Sequence, residues 1–186
     1  MAIDVAQSAY HVLTSATAIV RARYDAERTS ILAEGTVDGH TIPELLPELV
    51  AATAYPNPPG AGASWVGFSI PAQTNLPGLA LAYGRTVYRL RVRCGVRSTG
   101  YRTGAGDTPD DLDRTGQDAG WKSAALFSQV VATILVRHLT DYAGIYSAAT
   151  VAMTPQPGNR RGGNDTFVTD VDLEVAVATY NAALTV

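Results

Sequence analysis

Apolar residues recur at helical spacing in two stretches of the chain. Over residues 3–26 they return every three or four positions, which predicts an amphipathic helix. Over residues 121–139 they cover much of the helical circumference, which predicts a second helix buried at the centre of the fold. Residues 41–52 open with a capping-box pattern, Thr41 and Glu44, and contain Pro47, so we expect a short, bent helix there.

Alternation of apolar and polar residues marks the strands. Residues 87–96 alternate apolar side chains with arginines, and residues 167–180 alternate them with carboxylates, so both segments are expected to be strands with one apolar face. Shorter strands are predicted over residues 65–70 and 145–153. The last two strands are expected to form a hairpin around a glycine-rich loop at residues 155–165.

Glycine, proline and aspartate mark the connections between these elements. Residues 27–40 and 71–78 are predicted to be turns, and the proline-rich segment 55–63 is predicted to be a loop. Residues 99–120 have almost no large apolar side chains, so we expect a long loop that becomes ordered only against a partner.

Together the elements predict an α+β fold, in which a mixed or antiparallel β-sheet packs against two long α-helices. A chain of 186 residues has the ordinary size of one domain. We therefore expect a single domain over residues 1–186, with a helical N-terminal region at 1–54 and the sheet plus the buried helix at 64–186.

Composition favours an assembly subunit over a free monomer. Charged residues make up 17% of the chain, where about 25% is usual. The net charge of -3 excludes a global basic field that would attract nucleic acid or anionic lipid. The single cysteine, Cys94, excludes an intrachain disulfide and is expected in the core. The longest apolar run, residues 130–136, is too short to span a bilayer and no export signal is visible, so we expect no membrane partner.

Two rows of opposite charge are the main candidate for function. Arg89, Arg91 and Arg93 share the polar face of one predicted strand, and Asp170, Asp172 and Glu174 share that of another. Because opposite charges stabilise a strand pair, we hypothesise that the two rows face each other across one sheet or one subunit interface. Two alternatives are that both rows are solvated faces, and that the arginines contact nucleic acid.

Charged residues in the predicted loops are candidates for partner contacts. Arg160 and Arg161 lie at the tip of the predicted hairpin, where a solvated tip is the alternative. The segment 99–120 contributes Arg102, Asp107, Asp110 and Asp111. The aspartate spacing there does not fit a calcium-binding loop.

The sequence contains no motif of a catalytic, cofactor or metal site. His11, His40 and His138 are far apart and have neither a second histidine at the next helical turn nor a neighbouring cysteine. We therefore expect no catalytic, cofactor-binding or metal-ligating residue and a non-enzymatic role. A small enzyme with a cleft between the N-terminal helices and the sheet is the competing interpretation, and it would need polar groups that converge from separate elements.

The order of elements resembles the tail terminator proteins of long-tailed bacteriophages. The resemblance rests on residues 86–97, 124–139 and 167–180, which provide a strand, a buried helix and a C-terminal strand in the family's order. It implies a homo-oligomer, expected to be a hexameric ring, that caps the tail tube protein and meets the head-tail connector protein. DNA would pass through the lumen without specific binding, and the protein would belong to the virion, assembled in the host cytoplasm.

The chain has a longer N-terminal region than the simplest members of that family. Two other functions stay open. One is another neck or head-tail connector protein, and the other is a non-enzymatic nucleic-acid-binding module that uses the arginine-faced strand.

Overall fold

A computed structural model describes residues 1–33, 36–37, 40–41, 48–49, 51–53, 64–77, 83–98, 109–161 and 164–181. Its elements follow one another as β1 Ile3–Asp4, α1 Val5–Leu32, β2 Thr36–Val37, β3 His40–Thr41, β4 Ala51–Thr53, β5 Ser64–Pro77, β6 Tyr83–Ser98, α2 Pro109–His138, a 3-10 turn Leu139–Asp141, β7 Ile145–Arg161 and β8 Asn164–Tyr180. The predicted loop at 55–63 lies outside the described residues.

Six strands form one curled mixed sheet. Strand β8 lies at its centre, flanked by β6 on one side and by β7 and β1 on the other, and β5 and β4 follow beyond β6. The pairs β5–β6, β6–β8 and β7–β8 are antiparallel, whereas β1–β8 and β4–β5 are parallel. Strands β2 and β3 form a separate antiparallel pair. The prediction of a mixed sheet combined with helices is confirmed.

Helices α1 and α2 cover one face of the sheet, which we call the inner face. The apolar positions of β6 and β8 point inward, and side chains of both helices pack on them. The rings of Tyr24 from α1 and Phe127 from α2 meet edge to face, with centroids 5.4 Å apart. Cys94 is fully buried among these residues as predicted, and burial raises the pKa of its thiol.

Both helices extend beyond their predicted limits. Helix α1 continues to Leu32 because no helix breaker precedes Gly35 and because Ile31 still packs against the core. Helix α2 begins at Pro109, so residues 109–120 are helical and the predicted loop there is wrong. Proline fits the first turn of a helix, which explains this start. Residues 99–108 of that loop lie outside the described part of the chain.

The predicted bent helix at residues 41–52 is wrong at both ends. Thr41 belongs to β3, and Ala51–Thr53 form β4 beside β5. Tertiary contacts outweigh the local capping signal, because β4 gains ladder hydrogen bonds and the Arg21 guanidinium donates to the Ala52 carbonyl. Residues 42–47 and 50 of the predicted helix lie outside the described residues.

The predicted turn at residues 71–78 and the predicted loop at residues 155–165 are wrong, because strands extend into both segments. Strand β5 continues through Pro71 to Pro77, and a bulge between Ser69 and Ala72 accommodates the proline. Strand β7 continues to Arg161 because it lies at the edge of the sheet, where prolines are tolerated.

The apolar part of α2 belongs to the core. By length and a mean hydropathy of 1.2, the stretch Trp121–Asp141 could cross a membrane, but 56% of it is buried inside the fold. This burial is typical of the central helix of a folded domain, as the sequence predicted for residues 121–139.

Candidate functional site

The two rows of opposite charge lie side by side on the face of the sheet that the helices leave open. We call this surface the charged face and define it by Arg89, Arg91 and Arg93 of β6 and Asp170, Asp172 and Glu174 of β8. Antiparallel pairing places Arg89 opposite Glu174, Arg91 opposite Asp172 and Arg93 opposite Asp170. The rows therefore face each other within one sheet of one chain.

Asp172 is the centre of the network because it accepts hydrogen bonds from two arginines. Arg91 donates from Nε to Oδ1 at 2.9 Å and from Nη2 to Oδ2 at 3.1 Å. Arg89 donates from Nη2 to Oδ2 at 2.8 Å and from Nε to the same oxygen at 3.2 Å. One carboxylate thus holds two guanidinium groups that would otherwise repel each other.

Asp170 forms a separate bidentate pair with Arg93. Nε of Arg93 donates to Oδ1 at 2.8 Å, and Nη2 donates to Oδ2 at 3.1 Å. Two parallel N–H to O bonds of this kind fix the plane of the guanidinium as well as its position.

Glu174 lies outside this hydrogen-bonded network. The sequence hypothesis pairs it with Arg89, and the register does place the two opposite each other, but Arg89 reaches diagonally to Asp172 instead. Glu174 is exposed and forms no ion pair with any described residue. It is therefore the carboxylate of the charged face that is open to a group from outside the chain.

The network combines buried carboxylates with partly exposed guanidiniums. The Asp172 side chain is 9% exposed, whereas the side chains of Arg89 and Arg91 are 48% and 39% exposed. Hydrogen bonds from Arg91 lower the pKa of Asp172 below its ordinary value of 3.8, with a smaller contribution from Arg89. The same bonds raise the pKa of Arg91, and the bonds to Asp170 raise that of Arg93. These shifts keep Asp172, Arg91 and Arg93 charged near neutral pH.

The low pKa of Asp172 predicts a dependence of stability on acid. The unfolded chain protonates Asp172 at a higher pH than the folded chain does. The stabilisation from the ionised Asp172 is therefore complete well above pH 3.8, and it is lost as the pH falls towards the pKa of the folded state. We expect the free energy of unfolding of Asp172→Asn to depend less on pH in this range, by up to about 1.4 kcal/mol per pH unit. Urea unfolding between pH 2 and 6 measures the difference. Equal slopes for both proteins would contradict the assignment.

Small residues flank the network on both neighbouring strands. On β5, Gly67 lies opposite Arg93 and Ser69 opposite Arg91. On β7, Thr154 lies opposite Asp170 and Ala152 opposite Asp172. These short side chains leave room for the guanidiniums to lie along the sheet.

A concavity of about 200 Å³ opens on the charged face beside Arg89. Strands from both sides of the sheet line it, which follows from the curl of the sheet. Its lining residues are Ala72, Gln73, Thr74, Val87, Arg89, Val151 and Glu174.

Trp65 closes the other end of the charged face. It lies opposite Gly95 on β6, and a Cβ atom at position 95 would overlap the indole ring. Trp65 is buried although it points away from the helix-covered core. The tryptophan therefore fills the place that a side chain at position 95 would occupy.

The charges of this face are compensated within the face itself. Its three arginines and three carboxylates balance, and every guanidinium in it already binds a carboxylate. A face that binds phosphates needs uncompensated positive charge, so this geometry gives the nucleic-acid alternative no support. Within the described part of the chain, no cluster of His, Cys, Asp or Glu could hold a metal ion.

Four of the predicted partner-contact residues lie in two other described elements, α2 and β7. Asp110 and Asp111 lie in the first turn of α2, and not in a loop. Arg160 and Arg161 lie at the end of β7, where they pair with Asp165 and Asn164, so the predicted loop at 155–165 is wrong for them. Arg102 and Asp107 fall outside the described residues.

Sequence reasoning missed Trp65 and Val151 as parts of this surface. Gly95 interrupts the arginine row, and a glycine at a position that should bear a side chain indicates that a neighbour occupies the space. That signal could have located the tryptophan. Val151 lies at a bulge between Thr150 and Ala152, and no sequence pattern indicates where it points.

Comparison with known proteins finds no family model that matches the chain and no curated protein that matches it.

Proposed function

We propose that this protein is a structural virion subunit that forms a ring at the head-tail junction, terminates the tail tube and joins it to the head connector. We propose as part of the same hypothesis that the mixed sheet and its helices form a tail-terminator-like ring subunit. The hypothesis rests on the resemblance in the order of elements and on one structural observation, the open edge of β7.

Strand β7 is a long edge strand without the charges that usually protect such an edge. It has 17 residues, and among the described residues only β8 pairs with it, on one side. From Ile145 to Gln156 it contains no charged residue. Tyr146, Val151 and Met153 are 47%, 56% and 41% exposed.

An open strand edge is a template for another strand. Free monomers usually block such an edge with lysine or another charge, since unpaired backbone groups otherwise lead to association. In a chain with only 17% charged residues, the uncharged edge favours a surface that another protein covers. A subunit of a closed ring requires such a surface, whereas an enzyme or a monomeric binding module does not.

The self-contained charged face supports the same function. Because its arginines are satisfied within the chain, DNA can pass the protein without being held by them. A neck or connector ring shares this requirement, so the position within the tail is what a functional test must decide.

The first test is the solution mass of the purified chain, with negative-stain images of the same fraction. We expect a closed ring of about six copies, or about 118 kDa from a chain of 19.6 kDa.

The second test adds the ring to the growing tail-tube protein of the same virus, and tube lengthening is expected to stop. Thr140→Lys, at an exposed position of the 3-10 turn that belongs to neither strand edge, is the matched control and should act like the wild type.

Tubes that lengthen unchanged in the presence of the ring would contradict the terminator function. Rings that instead bind only the connector would assign the protein to another part of the neck. Salt-dependent binding of duplex DNA by the isolated monomer would favour the nucleic-acid-binding module.

A further inference from the structure

We infer that copies of this chain join head to tail by sheet continuation, with the β7 edge of one copy pairing with the free β5 edge of the next. This inference rests on the proposed ring and identifies its subunit interface. The occupant of the β7 edge is therefore a second copy of this chain.

The sheet has a second open edge at its opposite side. Strand β4 pairs with only three residues of β5, Trp65 to Gly67. No described residue pairs with that side of β5 from Phe68 to Pro77. This segment contains no charged residue, and residues 71–74 are exposed. Each copy thus offers two different, uncharged strand edges.

The strand directions make the two edges compatible. Within the chain, β7 runs antiparallel to β8, β8 antiparallel to β6, and β6 antiparallel to β5. Strand β7 is therefore antiparallel to β5. A second copy placed by extending the sheet brings its β5 antiparallel to β7, which is the more stable type of strand pairing.

The bulges limit how much of each edge can pair. The regular parts of β7 are residues 147–150 and 152–156, and the regular part of β5 beyond its bulge is residues 72–77. Pro155 and Pro77 within these parts have no N–H to donate, which shortens the ladder further. Ladders of four to six residues are short, so side-chain packing has to add to the backbone bonds. Val151 on one edge and Ala72 on the other provide exposed apolar atoms on the charged face, and Met153, opposite Val171, adds exposed apolar surface on the inner face.

An interface between two different edges explains closure. A contact of this kind repeats until rotation closes the ring, whereas a contact of β7 with β7 would stop at a dimer and leave the β5 edge open. The curl of the sheet, which lets β5 and β7 line one concavity, supplies the rotation between successive copies.

Two edge-blocked variants test the inference. The β7 variant is Val151→Lys with Met153→Lys, and the β5 variant is Gln73→Lys with Thr74→Lys. All four side chains are exposed, so the fold should survive, and circular dichroism with a thermal unfolding curve checks this. Lysine on an edge blocks pairing. Each variant alone is expected to lose the oligomer and to have the mass of one chain, 19.6 kDa.

Mixing the two variants is the decisive measurement. Each retains one intact edge, so an equimolar mixture should form a dimer of about 39 kDa, twice the 19.6 kDa chain, and nothing larger. The control Thr140→Lys should assemble like the wild type.

Three outcomes with the variants would overturn the inference. They are a mixture that stays monomeric, a β5 variant that still forms dimers while the β7 variant does not, and two variants that assemble like the wild type. A wild-type chain that remains a monomer at every concentration would overturn it as well. Sheet continuation is read from the masses of the two variants and their mixture, whereas the terminator function is read from tube length. Wild-type rings that stop tube growth while the variant mixture stays monomeric would therefore refute the interface alone.

Discussion

Trp65→Ala is expected to lower the free energy of unfolding by about 3–5 kcal/mol, as for other buried tryptophans. Trp65 is 7% exposed and covers Gly95 on the neighbouring strand. Gly95→Ala is expected to cost about 1–3 kcal/mol, because the added methyl group has to displace the indole ring. Urea unfolding monitored by circular dichroism measures both changes in the free energy of unfolding.

The double variant makes this prediction specific. Once Trp65 is alanine, the space above position 95 is empty, and alanine there should stabilise the strand by about 0.5 kcal/mol relative to glycine. Gly95→Ala is therefore expected to change sign between the two backgrounds, which is a strong coupling of neighbouring sites. Additive costs in the double variant would show that the indole does not occupy this space.

Asp172→Asn is expected to lower the free energy of unfolding by about 1–3 kcal/mol. The substitution keeps the shape of the side chain but removes the charge that Arg89 and Arg91 share. Loss of one partner from a fully buried ion pair costs about 3–5 kcal/mol. The expected cost is smaller here because both guanidiniums are more than a third exposed and can return to water.

Glu174→Gln is the matched control for Asp172→Asn. It removes the same charge from the same face of the same strand, two residues away, but Glu174 is exposed and outside the network. Its effect should remain within about 0.5 kcal/mol. Equal effects of the two substitutions would mean that the hydrogen bonds to Asp172 contribute nothing beyond local charge.

The charged face shows how far sequence patterns reach into a candidate site. Alternation with period two places Arg89, Arg91 and Arg93 on one surface, and the structure shows this surface. If each arginine bound the residue directly opposite it, Arg89 would pair with Glu174. Its guanidinium instead binds Asp172, which lies diagonally across the ladder. A long side chain can reach two neighbours, and which carboxylate is nearer depends on sheet curl, which the pattern does not contain.

Three of the wrong predictions share one cause. The prolines and glycines at residues 71–77, 109–120 and 155–161 indicate, as a local pattern, that structure is broken. Pro71 and Pro155 are tolerated because they occupy a bulge and an edge strand, and Pro109 because it begins a helix. Whether a proline ends an element depends on which side of the strand is open, and only the assembled sheet decides that.

By itself, the sequence determined the faces of the strands, the burial of Cys94 and the central helix, and the two rows of charge, because side-chain direction follows from local periodicity. Only the tertiary structure decided that β6 and β8 are neighbours, that Trp65 covers Gly95, and that β7 is left with an open edge. The paired arginines and aspartates lie 77 to 83 residues apart along the chain. Pairing over such distances depends on the packing of the whole sheet, and a local pattern cannot encode it.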